Sequence, residues 1–315
     1  MVCRAFPPGC MGWDQWAEEL RRSGKLARLA VGSAQVQEGM RRQAAGEPGI
    51  EPGFDKGPPM KTSRPLFIAL WIVAHCGFAM AAEIHVLCAG AARGSVVPLI
   101  EPFQRESGHT IRFEYGPAGQ ILAKLKEGQR PDVLIVTAPV IAELESAGTV
   151  AAGSATPLGR TGVGVGVAEG APMPDISSVE GLRKTLLAAR AVAYIDPAVG
   201  GTSGKHFAGV LERLGIADAI KSRAVLVPGG YAAERVANGE ADLVVHQISE
   251  ILPVKGVKLV GPLPPELQLY TTYTAAVSSG TPNVEIARAW IRYLAGPVGR
   301  KAFADRGMEV PQPSR

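Results

Sequence analysis

Short apolar runs alternate with segments of helical periodicity from about residue 83 to the end of the chain. The apolar runs predict strands at residues 84–88, 110–115, 132–136, 162–168, 191–195, 224–227, 241–245, 257–260 and 268–277. The periodic segments between them predict helices at 95–107, 120–127, 140–146, 179–189, 205–214, 232–238, 284–294 and 298–305. Within the first of these helices, Pro102 is expected to bend or restart the helix. The alternation predicts an α/β fold with mostly parallel sheets.

The number of strands favours two sheets, since one sheet of this width would be unusual. We therefore expect two lobes, the first formed by residues 83–158 together with 272–315 and the second by 159–271. The strands near 162–168 and 269–275 would connect them as a hinge. Ligands of such sheets gather at the carboxyl ends of strands, so a cleft between the lobes is the expected binding site.

The first eighty residues differ from the rest. Residues 60–81 combine a basic start, an apolar middle and Ala79-Met80-Ala81, the pattern of a secretory signal cleaved after Ala81. Residues 1–59 are rich in Gly, Pro and Arg, and we expect them to be a disordered stretch preceding a true start at Met60. The protein is then expected in the periplasm. Beyond this segment only Cys88 remains, so the mature chain offers no intramolecular disulfide.

Charge gives no support for nucleic-acid binding. The whole chain has a net charge of +4, but the 234 residues after the signal carry 23 basic and 22 acidic side chains. A balance this even lacks the basic surface that nucleic acid requires. Any anion would have to be held by local geometry.

Three turns supply that geometry, each rich in small residues and each joining a strand to a helix. Such turns let a ligand approach helix amides closely. In the turn from Asp196 to His206, Thr202 and Ser203 are the leading hydroxyl donors, and either could cap the helix. The binding residues expected from the turns are Gly90, Ala91, Ala92, Arg93, Ala118, Gly119, Gly201, Thr202 and Ser203. Arg93 could pair a carboxylate or lie solvated at the surface.

Further candidates follow other predicted strands. Tyr231, His246 and Gln247 lie at carboxyl ends of strands and could contact a ligand. His246 is either a proton shuttle or a hydrogen-bonded structural histidine, and Glu250 is either a base or a helix cap. The spacing of His, Cys, Asp and Glu matches no metal site and no nucleotide loop is found, so we expect neither metal nor cofactor.

Several segments occur in a characteristic order: an Ala/Gly-rich turn, a helix ending Phe-x-x-x-x-Gly, Gly-x-x-Gly-Gln and Pro-Asp-Val-x-Ile. This order resembles the molybdate-binding family of periplasmic solute-binding proteins, which have the type II two-lobed fold. The resemblance implies a protein, expected to be monomeric, that closes over a small oxyanion and delivers it to an ABC permease in the inner membrane. Family members use one serine in each first-lobe turn. Here Ala91 and Ala118 take those positions, which favours an organic-acid anion over molybdate.

The second half resembles a divergent branch, with Asp-Pro-x-x-Gly-Gly-Thr-Ser-Gly, Gly-Glu-Ala-Asp and Gln-x-Ser-Glu. This branch is similar to the periplasmic aconitate isomerases. It implies an alternative function, an isomerase of a small polycarboxylate with His246 or Glu250 as its acid or base. A third alternative is a binding module that serves a sensor instead of a permease. Whether the protein is an enzyme stays open at this point.

Overall fold

The computed structural model describes residues 81–312. The predicted start at Met60 and almost all of the predicted signal lie outside the described residues. The elements of the first half are β1 (Glu83–Ala89), α1 (Gly90–Ser107), β2 (Thr110–Gly116), α2 (Ala118–Lys126), β3 (Val133–Thr137), α3 (Ala138–Ser146) and β4 (Thr156–Ala168).

The second half continues the alternation and adds two short helices, α6 and α8, that the sequence pattern did not predict. Its elements are α4 (Val179–Ala188), β5 (Val192–Ile195), α5 (Thr202–Arg213), α6 (Ala217–Lys221), β6 (Ala224–Val227), α7 (Ala233–Ala237), β7 (Leu243–Gln247), α8 (Ile248–Ile251), β8 (Val257–Pro262), β9 (Tyr270–Val277), α9 (Val284–Ala295) and α10 (Pro297–Ala304). No helix within residues 81–312 is both long enough and apolar enough to cross a membrane.

The strands form one hydrogen-bonded path in the order β2-β1-β3-β9-β4-β7-β5-β6, with β8 on β4. At one end β1 pairs in parallel with β2 and β3, and at the other β5 pairs in parallel with β6 and β7. Between these groups β9 and β4 run antiparallel to their neighbours. The two predicted sheets are thus two parallel groups joined through antiparallel strands.

Strand β4 connects the two groups. Its residues 156–162 pair with β9, and its residues 163–168 pair with β7 and β8. Glycine is required along the second part, because a Cβ added at Gly164 would lie 2.7 Å from Cγ1 of Ile248 and 2.9 Å from the carbonyl oxygen of Gly261. The glycine-rich face predicted from the sequence therefore lets α8 and β8 pack directly on the β4 backbone.

The buried apolar residues fall into separate clusters, which define two lobes. One cluster draws on residues 84–158 and 273–308, including Trp290, whose ring packs edge-on against Phe103 at 4.9 Å. The other two draw on residues 163–267. We call the part around the first cluster lobe 1 and the part around the other two lobe 2.

Helix α1 differs from the prediction in where it begins and in its continuity through two prolines. It begins at Gly90, five residues before the predicted Ser95, and it continues without a restart through Pro98 and Pro102. The predicted restart at Pro102 is wrong. The buried face of the helix, which includes Val96, Leu99 and Phe103, packs on the lobe 1 core and holds the helix together despite the lost backbone hydrogen bonds.

Candidate functional site

A cleft lies where the carboxyl ends of the parallel strands of both lobes meet. Lobe 1 lines it with Ala89, Gly90, Ala91, Tyr115, Gly116, Pro117, Ala118 and Tyr273. Lobe 2 lines it with Ile195, Gly201, Thr202, Ser203, Gly230, His246, Gln247 and Glu250. The space free of protein atoms, including the opening to solvent, is about 440 Å³.

Three helices begin at this cleft without a side-chain cap. The N-cap residues of α1, α2 and α5 are Ala89, Pro117 and Gly201, and none of them makes a side-chain capping hydrogen bond. The prediction that Thr202 or Ser203 caps α5 is therefore wrong, because both lie inside the helix. First-turn amides without a cap remain available to donate to an anion, and the helix dipoles favour negative charge there.

The lining residues with hydroxyls are Thr202 and Ser203 in lobe 2 and Tyr115 and Tyr273 in lobe 1. Of these, Ser203 is 3 % exposed. Lobe 1 offers methyl groups at Ala91 and Ala118. Tyr273 adds a phenol that the sequence analysis missed, and its hydroxyl lies 3.4 Å from Nε2 of Gln247.

Backbone contacts hold the two lobes close together. A Cβ added at Gly119 would lie 2.5 Å from the carbonyl oxygen of Val199 and 2.9 Å from Cα of Gly200. Gly200 has a φ of 77°, so glycine is favoured on both sides of this contact. Gly119, predicted to bind ligand, is placed by the structure at the contact between the lobes and outside the lining of the cleft.

Side-chain hydrogen bonds also cross between the lobes. The buried hydroxyl of Ser249 donates to the carbonyl oxygen of Ala91 at 3.0 Å. Nε2 of Gln120 donates to the carbonyl oxygen of Pro228 at 3.2 Å. These bonds, together with the contact at Gly119, define a closed arrangement of the lobes.

His246 lies near the end of β7, and Glu250 follows four residues later in α8. Nε2 of His246 lies 3.4 Å from Oε2 of Glu250, and the two residues are 1 % and 7 % exposed. Burial lowers the pKa of His246 to about 3. Burial raises the pKa of Glu250 to about 8, against the opposing effect of the Arg93 charge. Both groups are therefore neutral near pH 7, and their contact is not an ion pair.

Two buried polar atoms in the same wall have no hydrogen-bond partner. They are Nδ1 of His246 and Oε1 of Gln247. The amide nitrogen of Gln247 is engaged with Thr271 and Tyr273 at 3.3 and 3.4 Å. Because unpartnered buried polar atoms are costly, these two atoms are natural contacts for a ligand.

Arg93 stands beside the cleft and does not line it. Its guanidinium lies 3.9 Å from the ring centre of Tyr115 in lobe 1 and 5.2 Å from that of Tyr231 in lobe 2. It thus stacks between the lobes. Of the other predicted residues outside the lining, Ala92 is fully buried and Tyr231 takes part in this stack.

Charged and metal-binding groups are sparse at the cleft. Glu250 is the one acidic residue in the lining, and the lining holds no Lys or Arg. Within the described part of the chain, no group of three or more His, Cys, Asp or Glu is arranged to hold a metal ion. The cleft therefore offers an anion main-chain amides, hydroxyls and neutral side chains in place of Lys or Arg.

Two α/β lobes that enclose a cleft of amides and hydroxyls define the class of solute-binding proteins. The family model "Bacterial extracellular solute-binding protein" matches residues 84–309. The chain therefore belongs to this family, and the sequence-based assignment of fold and family is confirmed.

Individual relatives fit the same assignment. The chain is 30 % identical over 238 residues to the aconitate isomerase of a Pseudomonas species, an alignment that covers 74 % of this chain and 89 % of the relative. It is 26 % identical over 227 residues to the molybdate-binding protein ModA of Azotobacter vinelandii, covering 70 % and 86 %. Among solved structures, the periplasmic molybdate-binding protein of Azotobacter vinelandii aligns with a TM-score of 0.61 at 22 % identity, covering 73 % of this chain and 100 % of that one.

Proposed function

We propose that this protein captures a small organic-acid anion in the periplasm and delivers it to an ABC permease in the inner membrane. The observation that carries the proposal is the meeting of three uncapped helix N-termini at a cleft whose lining holds no Lys or Arg. Amides at helix starts bind carboxylate oxygens without a cation.

The distribution of hydroxyls favours a carboxylate over a tetrahedral oxyanion. A hydrogen bond to a charged acceptor contributes roughly 1.5–3 kcal/mol. Methyl groups at Ala91 and Ala118 leave lobe 1 with main-chain amides alone at those two points. A tetrahedral anion needs donors on all sides, whereas a flat carboxylate can be bound at one helix start and contacted by Thr202 and Ser203 from the other lobe.

A thermal-shift screen tests this ligand class. The panel contains cis-aconitate, trans-aconitate, citrate, molybdate, tungstate and sulfate. A ligand at a hundred times its Kd stabilises the folded protein by about 2.7 kcal/mol, which for a chain of this size raises Tm by roughly 5–10 °C. We expect carboxylates to give this shift. Stabilisation by molybdate with no response to any carboxylate would contradict the proposal.

The route of ligand entry follows from the strands that join the lobes. We place lobe 1 at residues 83–158 with 272–315 and lobe 2 at 159–271, with β4 and β9 as the hinge. Opening about these strands would separate Ser249 from Ala91 and expose the cleft. Small-angle scattering with and without ligand tests this, since a ligand that holds the lobes closed lowers the radius of gyration. An identical radius in both states would contradict a hinge.

Secretion is part of the proposal. We infer that translation begins at Met60, that the signal at 60–81 is removed, and that the secreted protein acts as a monomer. Amino-terminal sequencing of the secreted protein tests the signal. A mature terminus within residues 1–59 would contradict it.

The His246–Glu250 pair supports a second candidate, an isomerase of a small polycarboxylate. A buried carboxyl with a pKa of about 8 is a stronger base than an ordinary glutamate once it is ionised. It could take a proton from a CH₂ group next to a carbon–carbon double bond and return it to the far carbon as the double bond shifts. The aconitate isomerase relative makes aconitate the substrate to test.

Proton NMR separates the two candidates. Incubation of the protein with cis-aconitate in D₂O would show trans-aconitate, or exchange of deuterium into the CH₂ group, if the protein is an isomerase. Glu250→Gln would abolish both signals. Tight binding of aconitate without either signal supports a binding protein alone.

A further inference from the structure

The carboxyl group of Glu250 reaches from lobe 2 to the start of a helix in lobe 1. A Cβ added at Gly90, the first residue of α1, would lie 2.9 Å from Oε1 of Glu250. Because Gly90 has no side chain, the carboxyl group of Glu250 fits beside the start of α1. Glu250 thus occupies the wall of the cleft directly beside the helix start where an anion is expected to bind.

Five titratable or charged groups face Glu250 from the elements packed around it. They are Cys88 on β1, Arg93 on α1, Tyr231 before α7, His246 on β7 and Tyr273 on β9. Arg93 is the one cation among them, and its guanidinium is stacked on Tyr115 at 3.9 Å, outside the lining. The lining holds no Lys or Arg, and burial keeps His246 neutral, so no positive charge of the lining compensates Glu250 once a second negative charge enters.

Two carboxylates cannot share such a site in their ionised forms, because like charges in a buried cleft repel strongly. The repulsion is removed when one of the two carries a proton. An O–H···O⁻ hydrogen bond between a carboxylic acid and a carboxylate then replaces it, and such bonds are short and strong.

We propose that the ligand anion and one proton bind together, with Glu250 as a neutral acid that donates its O–H to a carboxylate oxygen of the ligand. This deepens, and rests on, the proposed capture of an organic-acid anion. Glu250 is then a specificity-determining residue, because an anion binds beside it only when the Glu250 carboxyl is protonated.

The pH dependence has a definite sign. In the free protein the pKa of Glu250 is about 8, so the proton is already present at pH 7 and binding takes up almost none. Above pH 8 the free protein has lost that proton, and each ligand must bring one from solvent. Affinity then falls with rising pH, by about thirtyfold between pH 7 and pH 9.5 if only the neutral acid binds.

The other groups facing Glu250 do not titrate between pH 8 and pH 9.5. Burial lowers the pKa of His246 to about 3 and raises the pKa values of Cys88, Tyr231 and Tyr273 above their ordinary values. A guanidinium keeps its charge throughout the range. A decline between pH 8 and 9.5 therefore reports Glu250.

Isothermal titration calorimetry with trans-aconitate tests the proposal. The carboxyls of this probe are ionised throughout the range, so they contribute no titration of their own. Titrations in two buffers of different ionisation enthalpy give the number of protons taken up. We expect nearly none at pH 7, nearly one per ligand at pH 9.5, and the thirtyfold loss of affinity.

Variants assign the effect. Glu250→Gln keeps a neutral donor of the same shape but cannot ionise, so its affinity should show no decline from pH 7 to pH 9.5. Glu234→Gln, an exposed substitution of the same kind in lobe 2, should keep the full decline. Equal Tm values at pH 7 show that both variants fold.

The outcomes separate this proposal from the proposed function. Binding with no proton uptake at pH 9.5, or an equal decline in Glu250→Gln, overturns the proton linkage alone. Failure of every anion in the panel to bind at either pH overturns both.

Discussion

Gly119 lies at a backbone contact between the two lobes, where the addition of a single methyl group has a predictable effect. A Cβ at this position would lie 2.5 Å from the carbonyl oxygen of Val199 and 2.9 Å from Cα of Gly200. Both are backbone atoms, which cannot rotate away as a side chain can. In Gly119→Ala the lobes must therefore stay apart by a further half ångström to one ångström, roughly the distance to an ordinary van der Waals contact.

This separation weakens the bonds that complete the closed form. The hydrogen bonds from Ser249 to Ala91 and from Gln120 to Pro228 would lengthen beyond useful geometry. At about 1 kcal/mol for each bond, the closed form loses about 2 kcal/mol, which is roughly a thirtyfold loss of affinity for any ligand that requires closure. The fold itself should not suffer, because Gly119 is the second residue of α2, where alanine is tolerated.

Calorimetry with trans-aconitate and thermal unfolding without ligand measure the two quantities separately. Gly209→Ala is the matched control, since this helical glycine in lobe 2 has no atom within 4 Å of an added Cβ. We expect the control to bind as the parent does and to be more stable by up to about 1 kcal/mol. Parent-like affinity in Gly119→Ala would refute the closed arrangement as the binding form.

Three further predictions concern the donors, the charge beside the cleft and the fold. Replacing Thr202 by Val and Ser203 by Ala together removes two hydroxyls and should weaken anion binding by at least about a hundredfold in calorimetry. Arg93→Gln removes the charge that lowers the pKa of Glu250, so the alkaline loss of affinity should move to higher pH. Hydrogen bonds from Lys124 and Gln129 lower the pKa of Glu114 to about 2. Glu114→Gln should therefore lower the free energy of unfolding in urea by about 1–2 kcal/mol at pH 7. This difference should shrink as the pH falls from 4.5 towards 2.

Each of these has a control or an opposing result. Ser222→Ala, an exposed serine away from the cleft, should bind as the parent does. Unchanged affinity in the double hydroxyl variant would show that the cleft is not the binding site. If the loss of affinity in Arg93→Gln occurs at the same pH as in the parent, the Arg93 charge does not affect Glu250. If Glu114→Gln lowers the free energy of unfolding equally at pH 2 and pH 7, the lowered pKa is not the cause.

The site residues that could be predicted from the sequence are those in the turns between a buried strand and a helix. A buried strand followed by small residues and a helix predicts both a parallel sheet and a helix start that a ligand can approach, and carboxyl ends of parallel strands meet at one edge. Ala91, Ala118 and Thr202 were assigned to the cleft on this ground, and all three line it.

The missed features depend on packing between segments far apart in sequence. Tyr273 reaches the cleft because β9 pairs with the end of β3, in a register that places it opposite Thr137. The bond from Ser249 to Ala91 joins positions 158 residues apart. Neither has a local signal. The early start of α1 did have one, since Ala91 and Ala92 are strong helix formers that the sequence analysis treated as a turn.

We propose that the cleft binds a small carboxylate anion at three helix starts. Calorimetric titration of the full chain with trans-aconitate and with molybdate, at pH 7 and matched concentrations, tests it most directly. We predict saturable binding of trans-aconitate with one site per chain and weaker or no binding of molybdate. Tight binding of molybdate, with no heat from trans-aconitate, would contradict the account.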